Sequence, residues 1–290
     1  MRKYINMHIH TSASDGEYDI RELYQMIKKT DLKTISITDH DTIDAYKTLK
    51  EMNVHHINII NGCEFSSKPI IDTYGSRLHI LGYDMDLQNQ YLLDLLSQKR
   101  RNNYHNFFLL LEELKTDYNI HFSKEEIDKI FKKKDFGRPD IALLLIKHRY
   151  VKNMDEAFSK YLIPVFEKTK PFRKCFSPEE IFDVIKNAGG CISIAHIISN
   201  KFDENQLDHF LSYIKNKNVD AIELYHPSHN SSYRKYLLEK IKKYDFLISG
   251  GTDYHGPNVK PERLLECNTN DHIKIKKLSL CDYIVNKKNQ

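Results

Sequence analysis

The sequence predicts an α/β fold, a parallel sheet closed into an irregular barrel and interrupted by a helical insertion. Three observations lead there. Short apolar strands alternate with amphipathic helices up to about residue 87, residues 88–164 carry helical patterns with no strand between them, and alternation resumes at Ser177. Repeated βα units imply a parallel sheet. No G-x-G-x-x-G or G-x-x-x-x-G-K-[S/T] follows the first strand, so an open nucleotide-binding sheet loses its main support. At 290 residues the chain can hold one large domain with a substantial insertion.

The elements follow in order. Tyr4 to Ile9 is a short apolar run that leads into His10 and a Ser, Asp and Gly loop, which reads as a buried strand. Asp19 offers an N-cap, and Ile20, Leu23, Tyr24 and Ile27 fall on one helical face. Thr34 to Thr38 is the second strand, Asp41 to Met52 a helix, Ile57 to Ile60 a third strand reaching Glu64, and Arg77 to Tyr83 a fourth. Helical stretches follow at Tyr91 to Tyr118, at Ser123 to Lys133 with a Ser123/Glu126 capping box, at Asp140 to Arg149 and at Met154 to Leu162. Ser177-Pro178-Glu179-Glu180 starts the next helix as N-cap, Pro at N1 and Glu at N3, and Gly189-Gly190 stops it. Strands recur at Cys191 to Ala195, Ala221 to Leu224 and Phe246 to Ser249, between helices near Glu204 to Lys215 and Ser231 to Lys243. The count is seven strands. Residues 1–87 and 165–290 are expected to form a discontinuous barrel domain, and 88–164 a helical insertion covering the active site.

Composition narrows the function. Hydrophobic residues at 40% can build a core, and 44 Lys and Arg against 40 Asp and Glu leave a net charge of +4, too small for wholesale nucleic-acid or membrane binding. The positive surplus lies in the middle, where residues 88–174 hold 18 basic and 12 acidic side chains. The Lys132-Lys133-Lys134 and Lys168 to Lys174 clusters there read as solvated charge or as attraction for an anionic substrate. Cys63, Cys175, Cys191, Cys267 and Cys281 form no C-x-x-C and are odd in number, so neither a disulfide framework nor a zinc ribbon is indicated and a cytoplasmic location fits. No signal peptide or membrane span is present in the pattern, and nothing points to a protein partner.

The chemistry lies at the strand ends. His8 and His10 are two apart on the first strand and therefore point to one face, with Asp15 in the loop behind them. Thr38-Asp39-His40-Asp41 ends the second strand, Gly62-Cys63-Glu64 the third, His79 is on the fourth, His196 follows the fifth, and Gly251-Thr252-Asp253-Tyr254-His255-Gly256 follows the seventh. A lone His at a strand end is usually an ordinary packed or exposed side chain. In a parallel barrel, however, all strand C-termini open on one rim, so these residues converge. Nine nitrogen and oxygen ligands without thiolate suit Zn, Mn or Fe and exceed the need of one ion, which predicts two or three divalent metals.

H-I-H-T-x-x-S-D-G, I-T-D-H-D, G-x-E-F-S, H-I-L-G-Y, I-S-I-A-H and G-T-D-Y-H-G, in this order, resemble the PHP (polymerase and histidinol phosphatase) phosphoesterase family, especially its nucleoside 3′,5′-bisphosphate and short-RNA 5′-3′ members. The resemblance covers both barrel blocks and implies a distorted (βα)7 barrel with three divalent ions. It implies His8, His10, Glu64 and Asp253 at one ion, Glu64, His79 and His196 at a second, and Asp15, His40 and His255 at a third. Glu64 would then bridge two. Phosphate-ester hydrolysis on such a site uses a metal-bridging hydroxide and needs no protein nucleophile, in keeping with the absence of a G-x-S-x-G elbow.

Gly137-Arg138-Pro139-Asp140 stands where the family usually shows G-R-x-H. The resemblance gives Arg138 a catalytic role gripping a substrate phosphate, for which a planar guanidinium is well shaped; on its own Arg138 reads as a surface ion pair. Asp140 departs from the family His and reads as a substrate-facing residue or as a helix N-terminal one. Glu223-Leu224-Tyr225-His226-Pro227-Ser228-His229 is similar to a family segment whose histidines face substrate, so His226 is a catalytic or substrate-binding candidate and His229 a substrate-binding one, with packing as the alternative for both. His55, His56, His105, His121, His148, His209 and His272 match no motif.

The expected activity is that of a metal-dependent phosphoesterase acting on small nucleotides or short RNA. Histidinol phosphatase is the nearest alternative. An amidohydrolase barrel also begins H-x-H, but leaves T-D-H-D unexplained and takes its bridging ligand from a later strand. A metal-binding accessory module is the non-enzymatic alternative, and all nine ligand positions being filled argues against it.

Overall fold

The structure is a computed structural model that describes residues 3–68, 78–132, 136–266 and 273–288. Arg77, Lys133, Lys134, Cys267 and His272, all named above, lie outside the described residues. The strands are β1 (Tyr4–Ile9), β2 (Leu32–Ile37), β3 (Asn58–Ile59), β4 (Gly62–Ser66), β5 (His79–Tyr83), β6 (Cys191–Ile194), β7 (Ala221–Tyr225) and β8 (Leu247–Gly250). The helices are α1 (Ile20–Lys28), α2 (Asp44–Glu51), α3 (Gln90–Tyr118), α4 (Lys124–Phe131), α5 (Arg138–Lys147), α6 (Met154–Ala157), α7 (Ile163–Thr169), α8 (Pro178–Asn187), α9 (Glu204–Asn216), α10 (Ser231–Lys243) and α11 (Ser279–Lys288). Two compact units result, one of Met1–Leu95 with Phe176–Gln290, the other of Leu96–Cys175.

The larger unit is a mixed α/β structure. β1, β2 and β3 form a parallel three-stranded sheet, and β4 to β8 a five-stranded sheet in sequence order. Isolated parallel bridges pair Ile9 with Tyr254 and His40 with Glu64, linking the edges of the two sheets. The all-parallel expectation is corrected here. β5 runs antiparallel to both β4 and β6, while β6, β7 and β8 are parallel. The strand expected to run from Ile57 to Glu64 is two, because the chain passes from β2's edge to the other sheet between Ile59 and Gly62, so among the described residues eight strands stand where seven are expected.

Local sequence explains the helices that pack outside these sheets. Asp19 caps α1 through the amides of Arg21 and Glu22 with Glu22 reciprocating, and Ser177 and Glu180 do the same for α8. Each satisfies backbone donors that a helix start leaves without partners. Ile20, Leu23 and Ile27 of α1 bury against Ile9, Leu32, Ile35 and Ile37. α11, absent from the sequence reading, buries Leu280, Cys281 and Ile284 in one core cluster with Met7 and Tyr83. Among the described residues no helix is long and apolar enough to cross a membrane.

The smaller unit has its own core of Phe107, Leu110, Leu114, Ile141, Leu145, Leu162 and Val165. Its limits differ from the expected 88–164. Leu92 and Leu95, the first turns of α3, fall in the larger unit, and Val165 belongs with Leu162 in the helical core, which carries that unit on to Cys175. The helix expected to end at Leu162 continues through a π-turn at Phe158–Leu162 into α7.

Candidate metal centre

β1 alternates its side chains, so Asn6, His8 and His10 share a face. His8 and His10 are buried, with ring centroids 5.2 Å apart. Their Nε2 atoms converge on two carboxylates from other elements. Both lie 3.1 Å from Glu64 Oε2, and Asp253 Oδ1 is 3.4 Å from His8 and 3.1 Å from His10. The other oxygen of Glu64, Oε1, faces a second pair, His79 Nδ1 at 2.9 Å and His196 Nε2 at 3.0 Å. Glu64 itself is 1% exposed. Antiparallel β5 explains why His79, the first residue of its strand, joins residues that follow the ends of parallel strands.

A third grouping surrounds Asp15. Its Oδ2 is 3.2 Å from His255 Nε2 and 3.8 Å from His40 Nε2, and its Oδ1 is 3.4 Å from His10 Nδ1. His40 Nδ1 also approaches Glu64 Oε2, at 3.3 Å. Three sets therefore have ligand atoms within 4.8 Å of one another: His8, His10, Glu64 and Asp253; His40, Glu64 and His79; and His10, Asp15, His40 and His255. The nine expected residues meet in one place. The grouping differs in that His40 sits with Glu64 and His79, His10 joins the Asp15 set, and His196 reaches Glu64 only.

The donors fit divalent cations better than they fit one another. His10 Nδ1 and Nε2, His40 Nδ1 and His196 Nδ1 are buried without a hydrogen bond, although carboxylate oxygens lie close to His10 and His40. Buried polar atoms without partners are costly, and lone pairs aimed at shared points are what cation coordination requires. The set is nitrogen and oxygen throughout, with no thiolate.

Electrostatics prepares the same state. Burial lowers the pKa of His40 to about 3 against the pull of Glu64, and burial together with His10 lowers His255 to about 4. Burial also depresses His79. These rings are neutral near pH 7 and keep a lone pair. Burial opposes ionisation of Glu64 and Asp15, but surrounding imidazoles win and hold both well below the usual carboxylate range. His8 and His10 are the exceptions. Burial pushes each down, yet Glu223 and Glu64 raise His8, and Asp15 and Glu64 raise His10 to about 9.

A surrounding layer orients the ligands. Glu223, fully buried on β7, accepts from His8 Nδ1 at 2.8 Å and from the His196 amide at 2.7 Å. That fixes the His8 tautomer and turns Nε2 inward. His255 Nδ1 donates to the Asp253 carbonyl at 2.7 Å. Asp39 accepts from the Thr11 amide at 2.7 Å, Thr11 Oγ1 at 2.6 Å and Ser14 Oγ at 2.7 Å, which shapes the loop carrying Asp15. Asn6 Oδ1 accepts from the amides of His8 and Thr252 and so ties β1 to the loop bearing Asp253. Gly251 permits that approach, since a Cβ there would stand 2.4 Å from His8 N. His196 and Asp253 hold φ of 25° and 49°, a left-handed backbone that costs a non-glycine residue about 1–3 kcal/mol and collects at functional sites. Arg263 donates to the Asp253 carbonyl at 3.1 Å and pairs with its carboxylate.

Sequence reasoning missed Asn6, Asp39, Glu223, Lys260 and Arg263 as parts of this site. Asn6 had a signal, being next in the His8 and His10 alternation, and so did Glu223, a carboxylate inside an otherwise apolar strand. Of the substrate candidates, His226 is buried with Nε2 3.2 Å from Asp253 Oδ2 and Nδ1 2.6 Å from Ser228 Oγ. Burial lowers its pKa strongly. His229 donates from Nδ1 to the Leu224 carbonyl at 3.0 Å, and its ring lies 5.6 Å from His226. Arg138 and Asp140 belong to the helical unit. The Arg138 guanidinium stacks 3.9 Å from the Phe166 ring centroid, and Asp140 Oδ2 accepts from the Gly137 amide at 2.8 Å, the helix N-terminal role.

The profile of the PHP domain matches residues 6–260. The 5′-3′ exoribonuclease Rnm of Escherichia coli is 24% identical over 255 residues, which cover 87% of this chain and 85% of that protein. The phosphoribosyl 1,2-cyclic phosphate 1,2-diphosphodiesterase of Eggerthella lenta is 22% identical over 268 residues, 87% of this chain and 94% of its own. Among solved structures, a protein of Bifidobacterium adolescentis described as a metal-dependent phosphoesterase superposes with a TM-score of 0.67 at 23% identity, covering 99% of this chain and 96% of that one. One of Chromobacterium violaceum described as an amidohydrolase gives 0.69 at 20% identity, covering 88% of each chain. These two likenesses show a shared fold.

Proposed function

This chain belongs to the PHP domain family and is a metal-dependent phosphoesterase, and from that premise we propose that it hydrolyses phosphate esters of small nucleotides or short oligonucleotides. The observation that carries the reading is Glu64, a buried carboxylate whose two oxygens face two different sets of imidazoles. Divalent cations, for which we favour Mn, Zn or Fe, would supply an activated water at neutral pH and offset charge on the phosphoryl oxygens. Glu64, His8, His10 and Asp253 would hold one, Glu64 with His79 and His196 a second, and Asp15, His40 and His255 a third. Glu223, through His8, keeps a ligand lone pair pointing inward. His226, neutral and buried beside Asp253, contacts the substrate or the departing oxygen, with His229 behind it. Arg138 grips a substrate phosphate, and Asp140 in place of the family His lowers preference for a second phosphate by like charge.

The substrate class rests on relatives whose names give RNA and a phosphoribosyl cyclic phosphate as what those proteins act on. We read the two sheets, linked by the Ile9–Tyr254 and His40–Glu64 bridges, as a distorted barrel. Cys63, Cys175, Cys191 and Cys281 form no disulfide among the described residues, in keeping with the cytoplasmic setting that we favour. A panel of histidinol phosphate, nucleoside 3′,5′-bisphosphates and short 5′-phosphorylated RNAs tests the substrate. Phosphate or mononucleotide release is expected from the nucleotide members, and turnover confined to histidinol phosphate would contradict the proposal.

A further inference from the structure

The loop after β8 returns a lysine to the metal centre. Lys260 Nζ lies 3.0 Å from His255 Nε2 and 3.7 Å from Asp253 Oδ2, on a side chain 29% exposed. The return is pinned. The Lys260 amide bonds the Gly256 carbonyl at 2.9 Å, and Glu17 accepts from the Asn258 amide at 2.9 Å and from its Nδ2 at 2.5 Å.

His255 Nδ1 faces a carbonyl oxygen, which only accepts, so its proton is on Nδ1 and its lone pair on Nε2. An ammonium only donates, so Lys260 donates a hydrogen bond to that lone pair. This Nε2 also faces Asp15 Oδ2 at 3.2 Å and is what His255 brings to the set with His10, Asp15 and His40. One lone pair serves one partner, the ammonium or an ion. The set built on His8 is arranged differently. There Arg263 contacts Oδ2 of Asp253, leaving Oδ1 to face His8 and His10.

We propose that Lys260 is a built-in competitor for the ion at Asp15, His40 and His255, so that this ion is held far more weakly than those around Glu64. The proposal rests on the reading above only in that the cluster holds divalent cations. When the third ion enters, the ammonium leaves His255 and becomes a positive group at the rim, placed to meet an anionic substrate.

The test is titration of the chelator-stripped full chain with manganese alone, followed by calorimetry and by bound-metal analysis after desalting. The unaltered protein is expected to fill two positions tightly and a third weakly. Lys260→Met removes both competition and repulsion, so the third ion should bind about tenfold tighter or more. Lys260→Arg keeps a cation there and should retain the weak third step, which also guards against a folding defect in the first variant. Equal third-ion affinity in Lys260→Met and the unaltered protein would overturn the proposal, as would loss of ions from Lys260→Met. Phosphate release is measured separately. A protein that titrates as expected but cleaves no ester supports the role of Lys260 and contradicts the phosphoesterase reading.

Discussion

Glu64 joins the site's parts because a carboxylate has two oxygens and both are used. An amide keeps the shape but carries no charge to offset two cations. Glu64→Gln should therefore lose about a hundredfold or more in activity along with bound metal, while His209→Ala on α9 should change neither; metal analysis and phosphate release on both variants check this. Glu223→Gln acts through His8 and should cost about 10- to 100-fold in metal affinity, read by manganese titration. Arg138→Lys keeps the charge but loses the planar group stacked on Phe166, so catalytic efficiency should fall about tenfold with metal content unchanged. The ligands themselves were legible in the sequence, since imidazoles two apart on a strand and carboxylates at strand ends leave a local mark. Glu223 left only the mark of a carboxylate inside an apolar strand, and the parts played by Asp39 and Lys260 left none. Their roles arise from contacts across 215, 28 and 5 residues of chain, and even the shortest depends on a loop whose course no local pattern specifies.

Helix starts were the most legible elements, because capping is a local exchange of hydrogen bonds written in four residues. Ser123 with Glu126, like Ser177 with Glu180, forms the box that its spacing predicts. Glu126 also meets Lys147 Nζ at 2.5 Å and His148 at 2.9 Å, and those hydrogen bonds, Lys147 first, bring its pKa down to about 2. A lowered carboxylate pKa means that the folded state favours the ionised form, so the stabilisation is complete above the ordinary Glu value and is lost as pH falls through about 2. Glu126→Gln should lower stability at pH 7 by about 1 kcal/mol, and the difference should close toward pH 2; urea midpoints at the two pH values measure it. Strand direction was illegible, because a short apolar run such as His79 to Tyr83 reads the same in a parallel or an antiparallel neighbourhood. α11 was missed because its few apolar positions acquire meaning only against Met7 and Tyr83.

For the molecule as a whole, the α/β class and the presence of a separate helical unit follow from where strands stop and resume, whereas the unit's limits depend on which core takes Leu95 and Val165. The larger unit gathers imidazoles and carboxylates and, among the described residues, leaves ring nitrogens of His10, His40 and His196 buried without a hydrogen bond. That arrangement is expensive unless cations complete it. Binding ions to the native state alone should then raise stability by mass action, and a thermal scan of stripped and manganese-loaded protein should show the midpoint rising with free metal. The central claim is that these residues make a metal-dependent phosphoesterase. Its most direct measurement is phosphate or mononucleotide release from a 5′-phosphorylated oligoribonucleotide by protein stripped with a chelator, dialysed, and then reloaded with manganese. The account predicts no release from the stripped protein and recovery on reloading in the unaltered chain but not in Glu64→Gln. Undiminished release after complete removal of metal, or full recovery in Glu64→Gln, would contradict it.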